Sequence, residues 1–216
     1  MAAPPMAGAL GRVRGGTLRV VALSLLLVTT LEVLQVVAAA ATGQIEGPGP
    51  FLVDLAQKVP WGVGVCTGIW LGLELGRGHL LVAAAGGLIA APIASLLLRA
   101  VAEGAHALAF VDAPAGPSPL SVAAVRGVEY ACLGLLLAWL ARRPWAGAAH
   151  YAAAGLAVAV PFGLALLALA EGSGAVALGA GGMLAWAVDE VLFPIGCALI
   201  VFSADRARRA SAGGEV

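Results

Sequence analysis

The sequence predicts an all-α fold, a polytopic membrane protein built as a bundle of six transmembrane helices. Three observations carry that expectation. Of 216 residues, 61% are hydrophobic and only 11% are charged, against about 25% charged in an average soluble domain. Six apolar runs are separated by short polar or proline- and glycine-rich breaks, and most of them approach the roughly 20 residues that a bilayer core demands of a helix. The basic residues are also distributed unevenly between alternate breaks.

The first run, Thr17–Ala41, follows a short tail of residues 1–16 and is opened by Arg12, Arg14 and Arg19. A secretory signal is its rival, with Ala38–Ala41 as a small-residue cleavage site. The apolar stretch is too long for a signal core, however, and Glu32 interrupts it. Gly43–Pro50 holds three glycines and two prolines and reads as a non-helical loop. The second run, Trp61–Leu75, is short. Pro60 before Trp61 reads as a helix start at the membrane surface, with Phe51–Val59 either an upstream extension or a separate interfacial helix. The third run is His79–Val101. The proline-rich Asp112–Pro119 divides it from the fourth, Leu120–Ala141. The fifth is Ala148–Ala170 and the sixth Val176–Ser203, which closes a membrane domain of residues 17–203. Residues 204–216 form a second tail.

With six spans, nine basic residues fall on one side: Arg12, Arg14, Arg19, Arg77, Arg142, Arg143, Arg206, Arg208 and Arg209. Only Lys58, Arg99 and Arg126 fall on the other. The positive-inside rule then puts both termini in the cytoplasm, across a cell (inner) membrane.

Two patterns bear on helix packing. Gly64, Gly68, Gly72 and Gly76 recur every fourth residue along the second span. Such a glycine zipper presents a helix face without side chains, against which a second backbone can pack closely. Gly155, Ala159 and Gly163 make a shorter stripe on the fifth span. The third and fifth spans also share Ala-Ala-Ala-Gly at Ala83–Gly86 and Ala152–Gly155, at equal distance before Pro92 and Pro161. Cys66 and Gly68 resemble Cys132 and Gly134 one span earlier. A two-helix unit duplicated in parallel orientation would produce this, as would alanine-rich coincidence.

The chemistry resides in four carboxylates, Glu32, Glu129, Asp189 and Glu190, inside otherwise apolar helices. A charge at such depth costs a few kcal/mol and ordinarily faces a partner or a wet cavity. Helical rise sets Glu32 and Glu129 each roughly 13 Å from the outer face, with Glu190 at a comparable level. Adjacent Asp189 and Glu190 are turned about 100° apart, so they must point to different neighbours. Arg126 precedes Glu129 by three residues and is its natural partner. Arg99 stands near the outer end of the third span. On this count at least two acids lack a cation from the chain, and a carboxyl group so placed can exchange its proton for a cation. The competing expectation is that the acids are hydrogen-bonding glue, with Gln35, Thr29 and Thr30 as local partners of Glu32. Glu74, Glu103 and Glu171 read as solvated helix ends.

Other chemistry finds little support. Three cysteines in three spans make no disulfide framework and, expected at different depths, no shared metal site. His79, His106 and His150 lie singly at span ends without zinc spacing. No nucleophile elbow, phosphate loop or dinucleotide fingerprint occurs. Asp189-Glu190 resembles the acid pair that opens the motif of CAAX-type intramembrane proteases. Pro194 stands where that motif carries its arginine and the histidine-bearing helices are missing, so that family is not assigned. Twelve basic and twelve acidic residues leave no net charge to attract nucleic acid. The expectation is a non-enzymatic protein without cofactor or metal: a small permease or channel-like transporter in which Glu32, Glu129, Asp189, Glu190 and Arg126 bind a proton, cation or small solute. The alternative is a non-catalytic subunit or assembly factor whose glycine face, Gly64 to Gly76, docks a membrane partner or a second copy.

Overall fold

The computed structural model is all-helical among the described residues, which are 6–41, 43, 48–76, 79–109, 117–173 and 180–213. Six helices follow one another: α1 (Met6–Ala41), α2 (Pro48–Leu75), α3 (Leu80–Ala109), α4 (Pro119–Ala141), α5 (Ala148–Gly172) and α6 (Ala180–Gly213). All but α2 are long and apolar enough to cross a membrane. The sequence expectation of a six-helix bundle is met, as a multi-pass arrangement.

Neighbours in sequence are neighbours in space, and α1 closes the ring against α6. Beyond that ring, α2, α4 and α6 also touch one another. They form an inner triangle, and α1, α3 and α5 fill its outer grooves. The burial pattern follows. Trp70, Tyr130, Leu133, Leu137 and Cys197 on the inner helices are almost fully covered, whereas Leu26, Leu81, Ile89 and Leu164 on the outer ones are exposed. Exposed leucine on a soluble surface would be costly, whereas lipid tails accept it.

The second helix departs most from expectation. Pro60 lies inside α2. Pro48 and Pro50 stand in its first turn, where a missing N–H costs nothing. The Gly43–Pro50 segment is therefore helical from Pro48 onward, and residues 44–47 lie outside the described part. Only the fifteen residues between Lys58 and Glu74 are free of charge, which is why α2 falls short as an apolar span. It nevertheless runs parallel to α4 and α6 over matching levels. One cavity joins Lys58, Arg126 and Asp189, and another joins Glu74, Arg142 and Asp205. The helices α3 and α6 run past Val101 and Ser203, where the sequence ended those spans. Arg77, residues 112–116 and 176–179, and the side chains of Arg12 and His106 lie outside the described residues.

The glycine stripe of α2 faces α3. A Cβ at Gly72 would lie 3.1 Å from Ala83 O and Gly86 Cα, and one at Gly68 would collide with Ala90. The close approach continues between α3 and α4, where a Cβ at Gly134 would lie 2.5 Å from Ala83 O. The two Ala-Ala-Ala-Gly motifs pack differently. Gly86 meets Gly68 and Gly72 of α2, whereas Gly155 meets Pro194 and Ile195 of α6. Gly163 likewise lies against Trp186 and Glu190 Cβ, at 3.5 Å each.

At one end of the bundle, Trp139 and Trp145 meet edge to face at 5.9 Å and Arg143 covers Trp139. Aromatic and basic groups of this kind are typical where a helix leaves the hydrocarbon.

Candidate functional site, a buried carboxylate and cation cluster

The four carboxylates on α1, α4 and α6 come together in one cluster, around two cations. Lys58 Nζ, on α2, lies 2.8 Å from Glu32 Oε2 and 3.6 Å from Asp189 Oδ2, and it also donates to Gln35 Oε1. Arg126, on α4, donates to Glu129 Oε2 at 2.9 Å and to Glu190 Oε1 at 2.5 Å. Asp189 and Glu190 do diverge, as their spacing requires: one turns to Lys58 and the other to Arg126. The short dipeptide on α6 thereby links both halves, and the network ties α1, α2, α4 and α6 together.

Burial separates the members. The side chain of Glu129 is fully covered and those of Glu32 and Glu190 nearly so, but that of Asp189 is 36% exposed. Asp189 therefore forms the exposed edge of the cluster. Beside it a cavity of about 270 Å³ is lined by Lys58, Trp61, Arg126, Tyr130, Glu190 and Phe193 among others, with Asp54 and Gln57. Trp61, Tyr130 and Phe193 form its apolar floor, their ring centroids 5.6–6.1 Å apart. The Arg126 guanidinium lies over the Trp61 ring at 5.2 Å, which is within cation–π range. Glu129 Oε1, Glu190 Oε2 and the Tyr130 hydroxyl are buried without a hydrogen bond among the described residues. Such groups are costly to leave unmade.

Several sequence expectations change. Lys58 was assigned to the outer flank, and its absence from the count left two acids without a cation. Since α2 continues through Pro60, Lys58 instead sits one turn above Trp61 within the bundle, and its flexible stem carries the ammonium to Glu32 and Asp189. Arg99 turns outward to Glu103 at 2.7 Å, both side chains being exposed. Thr29 and Thr30 donate to the carbonyls of Leu25 and Leu26, not to Glu32.

A second cluster lies at the opposite end of the inner helices. Glu74 is buried, not solvated: its Oε1 lies 3.3 Å from Arg208 Nε. Asp205 pairs with Arg208 and, at 2.7 Å, with Arg209, which also donates to Ala141 O of α4. A smaller cavity of about 130 Å³ adjoins it, lined by Trp70, Arg142 and Tyr151. The signal in the sequence was the spacing of Asp205 to Arg208 and Arg209, three and four residues on, which puts all three on one helix face.

Cys66 and Cys197 were expected at different depths, yet they are neighbours, both fully buried between α2 and α6. Cys132 is half-buried on α4. His79 is exposed. His150 caps its own helix, Nδ1 accepting the Gly147 N–H at 3.2 Å, and packs on Trp145. Among the described residues no three histidine, cysteine or acidic side chains group to hold a metal ion.

Comparison with known proteins finds no matching family model, no similar characterised protein and no matching solved structure.

Proposed function

We propose that the protein is a small permease of the cell (inner) membrane, both termini cytoplasmic, that couples movement of a proton or cation to exchange at the carboxylate cluster. One observation carries this: acids from three helices pair with Lys58 and Arg126, and both cations line a single cavity together with Asp189 and Glu190. Four carboxylates against two cations leave excess negative charge in a setting that tolerates it poorly. A proton or a second cation relieves that excess.

The ion pairs give such an event a mechanical consequence. Protonation of Glu190 weakens its bond to Arg126 and loosens α6 from α4. Release of Asp189 from Lys58 frees α6 from α2. Together these events reach two helix contacts, α6 with α4 and α6 with α2. The accessory-subunit alternative loses its main support, because the glycine face that would dock a partner already lies against α3.

The test is ion flux in proteoliposomes carrying a pH-sensitive dye. An imposed pH gradient should drive flux that Glu32→Gln and Glu190→Gln abolish while both variants still purify as folded protein. Unaltered pH-dependent flux in both variants would count against the proposal.

A further inference from the structure

We propose that the cavity bordered by Asp189 is a receptor for a small organic cation bearing a guanidinium or primary ammonium group. The inference rests on the permease reading and names its solute class.

The protein's own Arg126 is the first argument. Its guanidinium stacks on Trp61 at 5.2 Å while Glu129 and Glu190 accept its N–H groups at 2.9 and 2.5 Å. An aromatic face and two carboxylates are the elements that select a flat or compact organic cation. The same cavity has further capacity of that kind. Glu190 Oε2 and the hydroxyl of the fully buried Tyr130 are unpartnered, and both residues line it. Phe193 extends the aromatic floor, and Asp189 and Asp54 stand at the exposed edge. An N–H-bearing cation can pair with Asp189 and Asp54 at the exposed edge, lie against the rings and offset the excess charge, and a small shift of the side chains that cover them brings the two free oxygens into hydrogen-bond reach.

Other solutes satisfy fewer of these conditions. An anion would meet cations already engaged by four carboxylates. A neutral amide could hydrogen-bond but would leave the charge excess in place. A hard metal ion demands several oxygen ligands in a tight shell, and among the described residues no three acidic, histidine or cysteine side chains group to provide one.

The test is calorimetric titration of the purified full-length protein in detergent at constant ionic strength. Methylguanidinium and ethylammonium chlorides are compared with sodium chloride, sodium acetate and methylurea, the neutral analogue of methylguanidinium. The two organic cations should bind, and the three controls should not. Trp61→Leu should weaken binding by about two- to thirty-fold, the range of one desolvated cation–π contact. Trp61→Phe should retain most of it. Asp189→Asn, at the half-exposed edge, guards against misfolding of the tryptophan variant and should also weaken binding, with a melting temperature lowered by no more than about 4 °C, the worth of one part-exposed ion pair. Equal binding of methylurea, preferential binding of acetate, or parental affinity in both Trp61→Leu and Asp189→Asn would overturn the proposal. Binding without any flux in proteoliposomes would remove the permease reading and leave the receptor. Proton flux without organic-cation binding would do the reverse.

Discussion

Replacing Arg126 with methionine should be among the most damaging single changes in the carboxylate cluster. The side chain joins two carboxylates at 2.9 and 2.5 Å, one fully covered and the other 10% exposed, and is itself only 16% exposed. Methionine preserves most of the volume, so the cost is electrostatic. Removing one partner of a buried pair costs about 3–5 kcal/mol, because the other charge is left uncompensated. Loss of the contact over Trp61 adds roughly 0.5–2 kcal/mol. At about 2–4 °C per kcal/mol for a chain of this size, the ion-pair loss alone lowers the melting temperature by roughly 6–20 °C. Tryptophan fluorescence of the detergent-solubilised protein reads this directly. Arg126→Lys should fall between, since a single ammonium cannot bridge two carboxylates as a planar fork does. The decisive comparison is Arg126→Met combined with Glu129→Gln and Glu190→Gln, which removes the stranded charges and should recover much of the loss. A melting temperature for Arg126→Met within about 2 °C of the parent would refute the claim that these acids depend on Arg126. So would a triple variant whose loss equals the sum of the separate losses.

Three further outcomes follow from the packing. A Cβ at Gly87 would collide with the Tyr130 carbonyl, whereas one at Gly104 would meet nothing within 4 Å. Gly87→Ala should therefore cost about 1–3 kcal/mol by forcing α3 from α4, and Gly104→Ala should be neutral or stabilising by up to about 1 kcal/mol, both by thermal melts. Two of the three free cysteines are buried and Cys132 lies midway along the apolar span α4, where a thiol does not ionise; a water-soluble maleimide should label none of them in the folded protein and all three after denaturation in dodecyl sulfate, by mass spectrometry. Asp205→Asn should lower stability by about 1–2 kcal/mol, less than the Arg126 change, because Arg208 and Arg209 reach solvent; equal or larger melting shifts would contradict that ranking.

The fold was legible because hydrophobic run length reports a span almost regardless of detail. Five of the six helices begin or end within two residues of an expected bound, and convergence of the acids followed from the cost of isolating a carboxylate in lipid. The errors concentrate where one residue permits two local structures. Pro60 is tolerated within a helix or at its first turn, and choosing the first turn removed Lys58 from the bundle and miscounted the cations. Glu74 looked like a solvated end because α6 was stopped at Ser203; its partner Arg208 lies in the overlooked final turns. The Cys66–Cys197 contact was hidden for a related reason. Depth within a span depends on the helix boundary, and the bounds of both α2 and α6 differ from those expected.

The parallel inner helices give the two clusters a common axis. From Lys58 to Glu74 on α2, and from Asp189 to Asp205 on α6, the interval is sixteen residues, about 24 Å of helical rise. Ion pairs fasten α2 to α6 at both ends, through Lys58–Asp189 at one and Glu74–Arg208 at the other. Between them lie Trp61, Tyr130, Phe193, Ile69 and Leu133, all part of the buried core. Helices pinned at both ends cannot part at one end by simple translation, because the distant pair resists it. They can tilt about the middle, where Pro194 interrupts the hydrogen bonding of α6 and where the small Cys66 and Cys197 side chains meet. Under the proposed function, breaking the outer pair while the inner one holds is therefore the motion this architecture favours. Glu74→Gln, which weakens the inner pair, should then raise proton leak in proteoliposomes without abolishing organic-cation binding. A tight Glu74→Gln variant would mean that the inner ion pairs only stabilise the bundle and do not close it.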